Sequence, residues 1–196
     1  MAEKKHHYDL NCRYFLKAGA INTKSVLEVA AKRAQELSVK NVLVATCSGK
    51  TAISARNVFL EEIKIIAVTH VAGFLKPDYQ ELSDEERQRL ASRHVTIFTG
   101  QHAFGGVGRG VRKKLGTYQV DEIMAYTLRT FGQGTKVAIE LALMATDAGL
   151  IRTDENVISI GGTAHGADTA LVIKPANSAN FFDLKVREVI CKPAVF

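Results

Sequence analysis

Apolar and polar positions in this chain alternate between two patterns, short unbroken apolar runs and longer stretches with helical spacing. Five runs read as buried strands: Val42 to Ala45, Lys64 to Thr69, His94 to Thr99, Asn156 to Ile160 and Ala170 to Ile173. Between them lie helical patterns. Asn22 or Thr23 can cap a helix to about Leu37, with Val26, Leu27, Ala30, Ala34 and Leu37 as its apolar stripe. A second runs from Lys50 to about Leu60. Ser83 with Glu86 forms a capping box for a short third helix to about Arg93. A basic helical turn then stops at Gly116, and Asp121 is placed to cap the next helix. Its pattern breaks at Gly132-Gln133-Gly134 and resumes as far as Gly149, which fits one kinked helix or two. Met124, Phe131 and Met144 read as helix core. The tail from Asn180 to Phe196 alternates at Val186, Val189, Ile190 and Cys191, as an added edge strand would.

Strands alternating with helices predict one α/β domain over residues 1–196, a doubly wound and mostly parallel sheet. The link from the fourth run to the fifth holds no helix. So short a connection predicts that the fifth strand runs antiparallel to the rest.

Composition narrows the classes. Apolar content of 46% and charged content of 23% in 196 residues suit an ordinary soluble domain with a sizeable core. No apolar run approaches the roughly 18 residues that cross a bilayer, and the charged start, Met1 to Tyr8, lacks the apolar centre of a signal peptide. Cys12, Cys47 and Cys191 form neither a CxxC pair nor a disulfide framework, so a cytoplasmic location is expected. A net charge of +6 suits an anionic ligand. The basic cluster Arg109, Arg112, Lys113 and Lys114 reads as a solvated helix face. No interleaved aromatics support a nucleic-acid partner, and no membrane partner is expected.

The candidate chemistry lies at the strand ends. In open α/β sheets ligands sit beyond the carboxyl ends of the strands, where the winding reverses. Four runs here end in small or polar turns: Thr46-Cys47-Ser48-Gly49-Lys50-Thr51, Thr69-His70, Thr99-Gly100-Gln101-His102 and Gly161-Gly162-Thr163. The first is a strand, a tight turn and a helix start. Free N–H groups, the Ser48 hydroxyl and the Lys50 charge can cradle a phosphate there, and Ser48 can equally serve as an ordinary N-cap. Two better-known phosphate motifs fail. Gly49-Lys50-Thr51 ends like a P-loop, but Val44 stands where the first glycine is needed. The Gly105 to Gly110 stretch puts Val111 in the place of the last glycine of G-x-G-x-x-G.

These residues carry a resemblance. Val42 to Ala52 followed by Ile65-Ile66-Ala67-Val68-Thr69, together with Val157 to Thr169, is similar to the pyruvate kinase C-terminal domain. The chain resembles still more closely a stand-alone, archaeal-type family of such domains. That likeness rests on Asn22-Thr23-Lys24, Leu128 to Ala138, Gly161-Gly162-Thr163, Gly166 to Ile173 and Asn180-Phe181-Phe182-Asp183. It implies three layers around a five-stranded sheet of order 3-2-1-4-5 with the last strand antiparallel. It implies a cofactor, flavin mononucleotide (FMN), with no reaction assigned. The catalytic barrel of pyruvate kinases has no counterpart in these residues, so pyruvate kinase activity is not expected. The Gly105 to Gly110 stretch departs from the family, which carries fewer glycines and an acidic residue there.

The expected FMN contacts are Thr46, Ser48, Gly49, Lys50 and Thr51 for the phosphate, with Gly161, Gly162, Thr163, Gly166, Ala167, Asp168 and Thr169 closing over the ligand from the neighbouring strand. Phe104, Gln133, His70 and His102 are candidates to face the flavin ring, and Gly100 lies in the turn before His102. His70 and His102 read more readily as structural hydrogen-bonders, whereas His165 and Asp168 read equally as ligand contacts or as parts of their turn. Cys47 precedes a helix start, which would lower its pKa, though a space-filling thiol is the commoner case. No H-x-x-x-H or carboxylate–histidine cluster appears, so no metal is expected. Two functions follow: an FMN-binding protein, a redox enzyme among its forms, or a non-catalytic sensor of a phosphorylated metabolite. Helix-face pairing would make it a homo-oligomer.

Overall fold

A computed structural model describes residues 6–196; the first five residues of the charged start lie outside it. The strands are β1 (Arg13–Phe15), β2 (Asn41–Ala45), β3 (Lys64–Thr69), β4 (Thr96–Thr99), β5 (Val157–Gly161), β6 (Thr169–Lys174) and β7 (Lys185–Pro193). They form one sheet in the order β1-β7-β6-β5-β2-β3-β4. The five strands legible as apolar runs are β2 to β6, in the expected order and with β6 antiparallel to β5. β2 pairs in parallel with both β3 and β5, so the winding reverses beside it. The tail strand β7 is present but is not the edge. The three-residue β1 pairs with it and covers it.

The helices are α1 (Thr23–Glu36), α2 (Lys50–Arg56), α3 (Asp84–Ala91), α4 (Val107–Leu115), α5 (Val120–Arg129) and α6 (Gln133–Asp147). Alternation along the strands divides the core. Val42 and Val44 of β2 pack with Val26, Leu27 and Ala30 of α1 and with Ala52 of α2, while Leu43 faces Ala138 and Ala142 of α6. The fold is therefore three layers, helix on sheet on helix.

Several local expectations change. Ser83 caps α3 as its sequence requires, accepting the Glu86 N–H at 3.3 Å. Ser48 does not cap α2. Gly49 holds that position in the left-handed region (φ +82°), and the helix ends at Arg56 because Asn57 to Leu60 turn away. Gln119 rather than Asp121 precedes α5. Gly132, at φ +113°, separates α5 from α6, so the interrupted pattern is two helices. Met144 is core, but Phe131 lies at that break and is 60% exposed.

Candidate functional site

Because β2, β3, β4 and β5 are parallel, the turns that follow them gather on one edge of the sheet. A cavity of about 930 Å³ opens there. One side is the turn after β2 and the start of α2, with Thr46, Cys47, Ser48, Lys50 and Thr51. The other is one face of α6, with Gln133, Val137, Glu140, Leu141 and Met144. The segment after β3 adds His70, Phe74, Leu75, Tyr79 and Glu81, and the β5–β6 hairpin adds Gly162, Ala164, His165 and Gly166. Such a volume lies within the roughly 300–1,000 Å³ of small-molecule sites.

Thr46, Ser48, Lys50, Thr51, His70, His102, Gly162 and Gly166 thus share one space. Lys50 is exposed and has no ion pair among the described residues. The other expected contacts stand away from the cavity. A Cβ on Gly49 would point toward Leu82 and Glu86 instead, and one on Gly100 would strike the Phe98 ring. Gly161 lies under α6, 2.3 Å from the Gly134 carbonyl oxygen as measured from where its Cβ would be. Ala167 and Thr169 are buried, and the Ala167 N–H donates to Thr23 Oγ1 at 3.0 Å.

Asp168 takes the structural of its two readings. Fully buried, its Oδ2 accepts the N–H groups of Gly19 (2.9 Å) and Thr163 (3.1 Å), and its Oδ1 accepts the Thr169 hydroxyl (2.8 Å). It ties the hairpin to the segment before α1. It is not exposed and does not line the cavity.

His70 and His102 enter the site through their neighbours. The His70 ring stacks on Phe74 with centroids 4.0 Å apart, and its Nδ1 lies 2.6 Å from Glu81 Oε2. His102 Nε2 accepts the Val71 N–H at 3.4 Å. An accepting Nε2 carries no proton, so the ring proton sits on Nδ1, 3.8 Å from Glu140 Oε2.

Glu140 and Lys136 are the residues the sequence reading missed. Both are buried, with Lys136 Nζ 2.5 Å from Glu140 Oε2, and the Phe104 N–H donates to Glu140 Oε1 at 2.9 Å. Burial would raise the Glu140 pKa. The His102 proton and the Lys136 ammonium outweigh it and hold that pKa at about 2. Burial lowers the Lys136 pKa despite its partner. The signal was available: two charges, i and i+4, set on the apolar face of an otherwise apolar helix. Phe74, Leu75, Tyr79 and Glu81 gave no such signal, since their loop has no period.

Three further expectations change. Cys47 is not an activated thiol: burial, then the Glu81 charge, pushes its pKa up to about 11. The basic cluster does not act as one solvated face. Arg112 pairs with Glu122 at 2.7 Å, while Arg109 stacks over Phe74 at 5.0 Å beside a second cavity of about 390 Å³ that shares Phe74 and His102 with the first. The glycine stretch Gly105, Gly106 and Gly110 lines this second space. Last, the premise against a metal fails, because Cys47, His70 and Glu81 bring donor atoms within 4.8 Å of one another from three separate segments.

The sequence model of the family described as "Pyruvate kinase, alpha/beta domain" matches residues 24–173. Among solved structures the chain is similar to a pyruvate kinase from Cryptosporidium parvum. The match has 13% identity and a TM-score of 0.40, and covers 76% of this chain and 22% of that one. The Cryptosporidium parvum pyruvate kinase in complex with ADP matches at 16% identity with the same score and coverage. This chain spans about a fifth of the length of these enzymes.

Proposed function

Since the chain belongs to the pyruvate kinase alpha/beta-domain family, we propose that its strand-edge cavity binds a phosphorylated small molecule, with FMN as the ligand that suits the lining best. The observation that carries this reading is the pairing of chemistries within one space of about 930 Å³. The Lys50 ammonium and the Thr46, Ser48 and Thr51 hydroxyls line it together with the apolar and aromatic side chains of Phe74, Tyr79, Leu141 and Met144, and its carboxylates are Glu81 and Glu140. Lys50 with the hydroxyls of Ser48 and Thr51 would hold a phosphate through charge-assisted hydrogen bonds. Gly162 and Gly166 leave room on the hairpin side, where Ala164 and His165 also line the cavity. Phe74, Tyr79, Leu141 and Met144 supply the flat and apolar surface a flavin ring requires, and His102 and Gln133 stand at the same cavity as polar partners for its edge.

When bound, FMN supplies reversible one- and two-electron chemistry. The chain's part is to bind and orient it. The Glu140 carboxylate, ionised at neutral pH, keeps a fixed negative charge beside the His102 proton and so holds that ring's orientation. No group in the cavity is assigned a catalytic role.

Titrating the purified protein into FMN tests the reading. Flavin fluorescence should change with a saturable, one-to-one isotherm. Lys50→Ala should weaken binding about tenfold, the worth of roughly 1.4 kcal/mol, with no loss of stability. An unchanged fluorescence together with a rise in melting temperature on adding a sugar phosphate would favour the metabolite sensor over the flavoprotein. If neither ligand registers, the phosphate cradle is wrong.

A further inference from the structure

The flavin reading makes no use of the cluster formed by Cys47, His70 and Glu81. Cys47 comes from the turn after β2, His70 from the end of β3 and Glu81 from the loop before α3. Their Sγ, imidazole nitrogen and carboxylate oxygen all lie within 4.8 Å of one another. Sγ is 3.5 Å from His70 Nδ1 and 3.7 Å from Nε2, and Nδ1 is 2.6 Å from Glu81 Oε2. All three residues line the main cavity.

We propose that Cys47, His70 and Glu81 form a three-ligand site for a borderline-soft divalent cation such as zinc, with its fourth position open to the cavity. Zinc takes thiolate sulfur at about 2.3 Å, and imidazole nitrogen and carboxylate oxygen at about 2.0–2.2 Å, in a tetrahedral shell. Sulfur and nitrogen donors on such a shell stand about 3.5 Å apart; Sγ lies at that distance from Nδ1, and its 3.7 Å from Nε2 means that the His70 ring has to turn to aim a nitrogen lone pair at the ion. The carboxylate and imidazole sit closer, at hydrogen-bond distance. Glu81 therefore has to move away from Nδ1 by about 0.7 Å to admit the ion, and a loop side chain with an exposed edge can do this. The donor set of one sulfur, one nitrogen and one oxygen favours zinc or cobalt over magnesium or calcium, which select all-oxygen shells. Phe74 stacks on the His70 ring, and the Gln80 side chain holds the His70 carbonyl at 3.0 Å, so the residue stays beside Cys47 and Glu81 as its ring turns. Binding replaces the Cys47 thiol proton with the metal and releases that proton to solvent.

A catalytic Cys–His–Glu triad without metal is the competing use of the same residues. In that case the parent protein binds no Co²⁺ and Cys47 is alkylated rapidly, which overturns the site.

Titration of the flavin-free full chain with Co²⁺ alone tests the site. One equivalent should give a thiolate-to-cobalt charge-transfer band and the intense visible bands of a four-coordinate ion, and Zn²⁺ should abolish both. The bands should survive Cys12→Ser and the double variant His6→Ala with His7→Ala, which remove the competing donors near the N-terminus. Cys47→Ser should lose the charge-transfer band, and His70→Ala and Glu81→Gln should each weaken Co²⁺ at least about tenfold, with circular dichroism confirming that the variants fold. Absence of the band in the parent protein, or its persistence in Cys47→Ser, overturns the site. The flavin titration, run separately on chelator-treated protein, stands or falls on its own.

Discussion

At the scale of single residues, the site depends on where a carboxylate finds its partners. Asp168 and Glu140 are both deeply buried acids near the strand ends, yet they serve different ends. Asp168 spends its two oxygens on the N–H groups of Gly19 and Thr163 and on the Thr169 hydroxyl. Asp168→Ala leaves those donors buried without an acceptor. It should cost about 2–3 kcal/mol of unfolding free energy, read by urea titration, with the hairpin losing amide-exchange protection first. Asp168 was legible in the sequence as a residue of consequence, but its role was not. The choice between ligand and turn depends on Gly19, 149 positions away. Cys47 makes the same point. Its position before a helix start argued for a depressed pKa, and burial beside Glu81 reverses the direction.

At the scale of elements, the contact between α6 and the β5–β6 hairpin shapes one side of the cavity. A Cβ on Gly134 would come within 2.2 Å of Thr169 Oγ1 and 2.5 Å of Asp168 Oδ1, and one on Gly161 within 2.3 Å of the Gly134 carbonyl oxygen. Two glycines from distant parts of the chain let a helix start close directly onto strand ends. Gly134→Ala, helix-favouring in isolation, should therefore destabilise by about 1–3 kcal/mol through overpacking, seen as a lower melting temperature. An unchanged or higher one would mean that α6 can retreat from the hairpin. The glycines around position 132 were visible as an interruption. That one would break the helix while the other packs it against the sheet was not, because both look alike in a one-dimensional pattern.

At the scale of the whole molecule, the cavity joins both helical layers across the sheet edge, and the buried Lys136–Glu140 pair holds part of it by charge. The sign of its pH dependence follows from the Glu140 shift. Its pKa falls from an ordinary 4.5 to about 2 on folding, so its contribution is complete above about pH 4.5 and is lost as pH falls toward 2. That contribution is at most about 3 kcal/mol. Thermal unfolding followed across that window should show a steep acid loss in the parent and a flatter one in Glu140→Gln, which starts from a lower stability because Lys136 is left buried without its partner. A parallel slope in the two proteins would separate Glu140 from acid unfolding. No helix among the described residues is long and apolar enough to cross a membrane.

By itself the sequence determined the five strands β2 to β6, the antiparallel turn of β6 and the edge on which the polar loops collect. These follow from hydrophobic periodicity and connection length, which are local and survive in one dimension. The polar turn around Ser48 and Lys50 was legible for the same reason, being contiguous. Only the tertiary structure decided that β1 covers β7, that Asp168 and Thr169 are buried between the hairpin and its neighbours, and that His102 and Lys136 meet at Glu140. It alone brought Cys47, His70 and Glu81 together. Each of those outcomes depends on distances between segments far apart in the chain, set by how the two helical layers pack across the sheet, and no residue pattern within one segment encodes them.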